Sequence, residues 1–196
     1  MADRIDLGVV WQGSRESTQP MRCLRTARVL FAAIAVAWIG IASAQDMYVP
    51  AGRWLDDQGR PYQLERLHGT PTVITMAYGA CRRVCSASLR IMEQLQELSD
   101  ARRLDVNFVV VGIDPQEDRP RDWADYRAFR KLNRPNWYFL TGDDPSTQQL
   151  ARRLGVRYWH YGEHTVHDLR VVLLSTESRV LRSIDAFGQN VEALLP

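Results

Sequence analysis

Thr72-Val73-Ile74-Thr75-Met76-Ala77-Tyr78-Gly79-Ala80-Cys81-Arg82-Arg83-Val84-Cys85 is the stretch that decides how this chain reads. Thr72 to Tyr78 is a short apolar run rich in β-branched residues, with the length of a strand buried on both faces. Gly79 and Ala80 break it. Beyond Cys81, Val84, Leu89, Met92, Leu95 and Leu98 recur at helical spacing, which predicts a helix with Cys81 in its first turn. A strand feeds a turn, and the turn delivers a cysteine pair to a helix N-terminus.

Working outward, Tyr48 to Trp54 and Tyr62 to Leu64 flank Asp56-Asp57-Gln58-Gly59 and predict a β-hairpin. Val106 to Ile113 is a second buried strand ending at Asp114-Pro115. Pro120 opens a helix whose Trp123, Tyr126, Phe129 and Leu132 form a core-facing stripe with a partly exposed edge. Asp114 and Asp118 read as ordinary capping acids at the strand end and helix start. Trp137 to Leu140 is a third strand. Ser146 caps a helix through Leu154, and Gly155 ends it. Leu169 to Leu174 and Val180 to Phe187 form a closing hairpin around Thr176-Glu177-Ser178. Alternating strands and helices imply parallel pairing in the middle, and the adjacent closing strands imply an antiparallel edge. The fold class is therefore α/β and thioredoxin-like, with a central mixed sheet, flanking helices and an N-terminal β-hairpin.

The 196 residues divide into a leader, 1–44, and a domain, 45–196. Arg22, Arg25 and Arg28 precede an apolar run from Val29 to Ala42, shorter than the roughly 20 residues a spanning helix needs. Ala42-Ser43-Ala44 has the small-residue pattern of a signal-peptidase site. A signal peptide of about 21–44 is expected, with Met21 as the true start and residues 1–20 outside it. The alternative is an uncleaved anchor that holds the domain at the inner membrane. In both cases the domain is exported, with the bacterial periplasm as its destination. The net charge of +2 falls close to neutral once the leader is set aside. A neutral body has no basic stripe for phosphate, so nucleic acid is not expected as a partner.

Cys23 leaves with the leader, so the domain keeps two cysteines, Cys81 and Cys85. A bridge between them closes too small a loop to brace a domain of this size, so their purpose is local chemistry. Positions i and i+4 of a helix share a face. The two sulfurs can form a disulfide or hold one ion. A helix N-terminus favours thiolate, and Arg82 and Arg83 push the same way. Two thiolates leave a copper ion under-coordinated, and an imidazole would complete a three-coordinate site. His160, His164 and His167 cluster in a loop from Trp159 onward. His167 stands at a strand entrance, where the backbone can fix a ligand. His160 and His164 sit in the earlier, looser part, and His68 reads as a solvated loop residue.

These residues resemble the Sco/SenC family of copper chaperones and thiol oxidoreductases linked to cytochrome c oxidase assembly. The resemblance runs from about Gly59 to Phe187. It rests on Cys81-Arg82-Arg83-Val84-Cys85, on Asp114-Pro115-Gln116-Glu117-Asp118-Arg119-Pro120, on Leu140-Thr141-Gly142, on Gly155-Val156-Arg157-Tyr158, and on His167 at the start of the penultimate strand. It implies copper, as Cu(I) or Cu(II), held by Cys81, Cys85 and His167. The implied partner is a copper-accepting oxidase subunit or another periplasmic copper carrier. The chain departs from the family pattern at Gly79, where threonine is usual, at Arg82 and Arg83, where proline and aspartate are usual, and at Ser86, Val166 and Asp168. The leading expectation is a metallochaperone, which turns over no substrate. The alternative is an enzyme, a thiol–disulfide oxidoreductase with Cys81 attacking and Cys85 resolving. Peroxide reduction or redox sensing would use the same exposed thiolate.

Overall fold

A computed structural model describes residues 52–79, 84–162 and 164–196, with the side chains of residues 84–86 left out. The leader and Cys81 lie outside the described residues. All of the described residues belong to one unit, Ala44–Pro196. In chain order the elements are β1 (Trp54–Asp56), β2 (Pro61–Tyr62), β3 (Thr72–Ala77), α1 (Val84–Arg102), β4 (Asn107–Gly112), α2 (Pro120–Phe129) and β5 (Trp137–Gly142). There follow α3 (Asp144–Leu154), β6 (Tyr158–Tyr161), β7 (His164–His167), β8 (Val171–Leu174) and β9 (Val180–Ile184). Short 3-10 turns occupy Leu64–Leu67 and Val191–Leu194.

Among the described residues, seven strands make one mixed sheet in the order β2-β1-β5-β4-β3-β8-β9. The central strands β3, β4 and β5 are parallel. Antiparallel neighbours flank them on both sides: β8 and β9 beyond β3, and the β1–β2 hairpin beyond β5. This is the thioredoxin-like mixed sheet that the sequence predicts, with the N-terminal hairpin at one edge.

The central strands are apolar throughout because both of their faces are buried. Side chains alternate along a strand, so Val73, Phe108 and Val110 point to one core with Leu89, Met92 and Leu95 of α1 and Trp123 of α2. Ile74, Met76, Val109 and Val111 point to the other with Leu150 and Leu154 of α3 and Trp54 of the hairpin. Aromatic packing reinforces the first core: Phe108 stacks on Trp137 at 5.2 Å between ring centroids.

Three local expectations need correction. The cap of α3 is Asp143, whose carboxylate accepts the Ser146 N–H at 3.0 Å. Ser146 lies inside the helix, and its hydroxyl accepts the Arg53 N–H at 3.1 Å, which ties α3 to the edge hairpin. Of the α2 stripe, Trp123 and Leu132 are buried and Tyr126 packs against the core, but Phe129 at the helix end is 82 % exposed. Finally, the stretch expected to be a histidine loop contains a two-stranded sheet of its own, β6–β7. Its hydroxyl, histidine and aromatic residues hid an ordinary period-2 pattern. Pro120 at the start of α2 and Gly155 (φ +70°) at the end of α3 stand where the sequence places them.

Candidate metal centre

Three parts of the fold meet at the carboxyl ends of β3 and β4. The first is Gly79 just past β3 together with the start of α1, which flank Cys81 in the sequence. Cys81 lies outside the described residues, and so do the expected i, i+4 alignment and any Cys81–Cys85 bridge. The backbone of Cys85 lies in the first turn of α1, where no acidic residue stands. Free N–H groups of a first helical turn favour an anionic sulfur there.

The second part is the β6–β7 hairpin, and its geometry separates the three histidines. Tyr158 pairs with His167, His160 with Thr165, and Tyr161 with His164. Burial alternates along β7: His164 and Val166 are exposed, Thr165 and His167 are buried. His167 is only 5 % exposed, whereas His160 and His164 are open to solvent. Contrary to expectation, His167 does not begin the penultimate strand. It is the last residue of β7, ahead of β8 (Val171–Leu174), and its rigidity comes from the hairpin ladder. Beyond it, the Asp168 N–H donates to the Arg157 carbonyl at 3.0 Å and the Arg157 N–H to the Asp168 carboxylate at 3.2 Å.

Strand pairing ties the chain that follows His167 to β3. In the antiparallel β3–β8 pair, Thr75 is opposite Val171. The Thr75 hydroxyl also donates to the Arg170 carbonyl at 2.8 Å. His167 lies in the separate β6–β7 sheet, shortly before β8, the strand that pairs with β3. A neighbouring carbonyl fixes the tautomer of its imidazole. Nδ1 lies 2.8 Å from the Asp168 carbonyl, which can only accept, so Nδ1 carries the hydrogen and Nε2 the lone pair. Burial lowers the pKa of His167 below its usual value, against the raising effect of Asp168, and so favours the neutral form.

The third part is the turn after β4, where sequence reasoning missed a residue. Asp114 does cap locally: its carboxylate accepts the Gln116 N–H at 3.2 Å. Asp118 is no helix cap. The cap of α2 is Arg119, boxed with Asp122. Asp118 is 1 % exposed, and its two carboxylate oxygens accept the Gly79 N–H at 2.7 Å and the Asp114 N–H at 3.0 Å. Burial raises its pKa to about 7, with like-charged Asp114 adding to the rise and the backbone N–H groups opposing it. No periodicity in the sequence marks this residue, because its partner Gly79 is 39 positions away.

Beside these parts a cleft of about 1130 Å³ opens between the Asp114–Glu117 turn, α3 and the hairpin, lined by Tyr78, Asp114, Gln148, Arg152, Tyr158 and His160. Thr165 bridges it, donating to Asp114 at 3.3 Å and lying 3.1 Å from His160 Nδ1. Among the described residues there is no cluster of three or more histidine, cysteine or carboxylate groups apt for a metal. None of the described helices is long and apolar enough to cross a membrane.

The sheet order, the helix after β3 and the site at the strand ends define a thioredoxin-like protein. Comparison with known proteins carries this further. Residues 45–195 match the SCO1/SenC family model, and the chain belongs to that family. A SCO1 protein homolog of Bacillus subtilis is 29 % identical over 87 residues, covering 44 % of this chain and 45 % of the relative. The alignment thus takes in less than half of that relative's length. The crystal structure of Arabidopsis thaliana ScoI with copper bound superposes with a TM-score of 0.65 at 21 % identity, covering 76 % of this chain and 92 % of the other. BsSco, described as having a disulfide switch and as a member of the Sco family of cytochrome c oxidase assembly proteins, superposes with a TM-score of 0.59 at 23 % identity, over 70 % and 83 %. At these identities the two structures establish the fold.

Proposed function

We propose that this protein is an exported copper metallochaperone in which Cys81, Cys85 and His167 hold copper, as Cu(I) or Cu(II), for delivery to a terminal oxidase. The observation that carries the reading is His167: a buried imidazole, with Nε2 as its basic nitrogen, shortly before β8, the strand that pairs with β3. Imidazole and thiolate suit copper, and a three-coordinate site at a strand–helix junction can release its cargo by ligand exchange. Copper is the cargo here, so no reaction is catalysed. Family membership and the copper-bound state of the Arabidopsis relative support the reading. The acceptor would be a copper-binding oxidase subunit or another periplasmic copper carrier. The leader reading places this exchange in the periplasm, with the domain soluble after cleavage at Ala44 or tethered by an uncleaved leader.

The test is an anaerobic copper titration of the reduced protein and of His167→Ala, following bound metal and free thiols. One copper per chain with both thiols protected is expected. Affinity should fall about a hundredfold or more in the variant, at or beyond the upper end of the range seen when a supporting neighbour is lost. Equal binding by the two proteins would sink the chaperone reading.

A second reading is favoured by the position of Cys85 in the acid-free first turn of α1. In it the cysteine couple reduces oxidase-subunit cysteines by thiol–disulfide exchange, with Cys81 attacking and Cys85 resolving. His167→Ala would leave that activity intact.

A further inference from the structure

A buried carboxylate is expensive unless something compensates it. Asp118 is held by N–H groups, and the charged group facing it among the described residues is Asp114, which repels it. Among the described residues the surrounding elements add no cation: β3 offers the Gly79 amide just past its end, β4 the Ile113 and Asp114 amides beyond its own end, and α2 the Trp123 ring. The fold nonetheless fixes this residue from every side. Its N–H donates to the Asp114 carbonyl at 2.6 Å, and its carbonyl accepts the Thr141 hydroxyl of β5 at 2.5 Å. A Cβ on Gly112 would come within 2.6 Å of the Asp118 Cβ, and one on Gly79 within 3.0 Å of its Oδ1. Two glycines therefore make room for one carboxylate. A neutral acceptor could satisfy a backbone amide at less cost. What Asp118 adds is a fixed, ionisable anchor on the chain two residues ahead of Cys81.

We propose that Asp118 is the positioning residue of the cysteine turn: by taking one N–H from Gly79 and one from Asp114, it ties the segment leading into Cys81 to the end of β4 and sets how readily Cys81 reacts. It acts through the backbone and needs no contact with metal or substrate. Asn in its place keeps the shape but can offer only one acceptor oxygen, so one of the two ties is lost. The anchor also explains why the turn tolerates Gly79, a residue with wide conformational freedom, at its root.

This inference rests on Cys81 being a working sulfur of the proposed site, and its test is run without metal. The full chain is equilibrated with glutathione redox buffers, and the Cys81–Cys85 dithiol–disulfide constant is read for the unmodified protein, Asp118→Asn, Asp118→Ala and Leu150→Ala. Leu150 is fully buried in the opposite core and serves as a destabilised control. The constant should shift at least tenfold, about 30 mV for this two-electron couple, in both Asp118 variants and not in the control. A folded Asp118→Asn with a constant within twofold of the unmodified protein overturns the proposal. In the unmodified protein, the amide resonances of Gly79 and Asp114 should titrate together with the Asp118 carboxyl carbon, a readout that needs no variant to fold. Independent titration also overturns it. Should His167→Ala bind copper normally while Asp118→Asn still shifts the dithiol constant, the metal centre fails and the anchor stands.

Discussion

The central strands and the β6–β7 hairpin are built on opposite plans. β3, β4 and β5 are parallel and covered on both faces, and almost every side chain on them is buried. The hairpin belongs to a separate two-stranded sheet, and its outer face is open: Trp159, Tyr161, His164 and Val166 are all exposed. Its inner face carries Thr165 and His167, both buried. Stability resides in the first region and the candidate chemistry at the rim of the second. Such a division lets site residues vary while the scaffold holds, because a hairpin held by a few cross-strand bonds has little packing to lose.

Substitutions can break or sharpen that contrast. Phe108→Ala should have the largest effect on stability, about 3–5 kcal/mol, since it removes a fully buried ring stacked on Trp137. Urea denaturation would measure it, and a loss under 1 kcal/mol would mean that the two regions are less different than their burial indicates.

Asp118 should give the next largest effect, and it depends on pH. Its folded pKa of about 7 lies above the ordinary aspartate value of 3.8, so between roughly pH 4 and pH 7 the folded chain keeps a proton that the unfolded chain has released. Stability from this group is therefore full below pH 4, falls as pH rises through that window, and levels off above pH 7. The difference in unfolding free energy between the unmodified protein and Asp118→Asn should change across this window by an amount on the order of a few kcal/mol. His167 works in the opposite direction near its usual pKa, because burial lowers its pKa. The difference between the two proteins cancels that contribution. A flat difference from pH 4 to pH 8 would contradict the assigned burial.

Asp143→Ala removes the cap of α3 and should cost about 1 kcal/mol, seen as a lower midpoint in urea with an unchanged slope. Trp159→Ser on the open face of the hairpin should change stability by less than about 0.5 kcal/mol. A larger loss would show that the outer face is packed against something after all.

Sequence reading went furthest where the signal is local. Thr72 to Tyr78 and Val106 to Ile113 are apolar at every position because both faces are covered, and such runs are legible as buried strands. Pro120 and Gly155 marked a helix start and a helix end through their own backbone preferences. The hairpin was harder. In Trp159 to His167, aromatic and polar residues alternate without an apolar face, so the strand period was masked and the stretch read as a loop. Asp118 was misread for a related reason: an acid just before Arg119-Pro120 is what a helix cap looks like, and only its burial against Gly79 shows otherwise.

The sequence by itself determined the α/β class, the mixed sheet, the helix after β3 that carries Cys85, and the family resemblance that the match over residues 45–195 bears out. Each of these is written in spacing over a few residues. The tertiary structure alone decided which histidine is buried, that β6 and β7 pair, and that Asp118 anchors the turn before Cys81. These follow from register between distant segments, Thr75 with Val171 and Gly79 with Asp118. Local periodicity reports which face of an element is apolar. It carries no information on which distant residue will occupy the space opposite, and that is settled only when the packed chain closes its sheet.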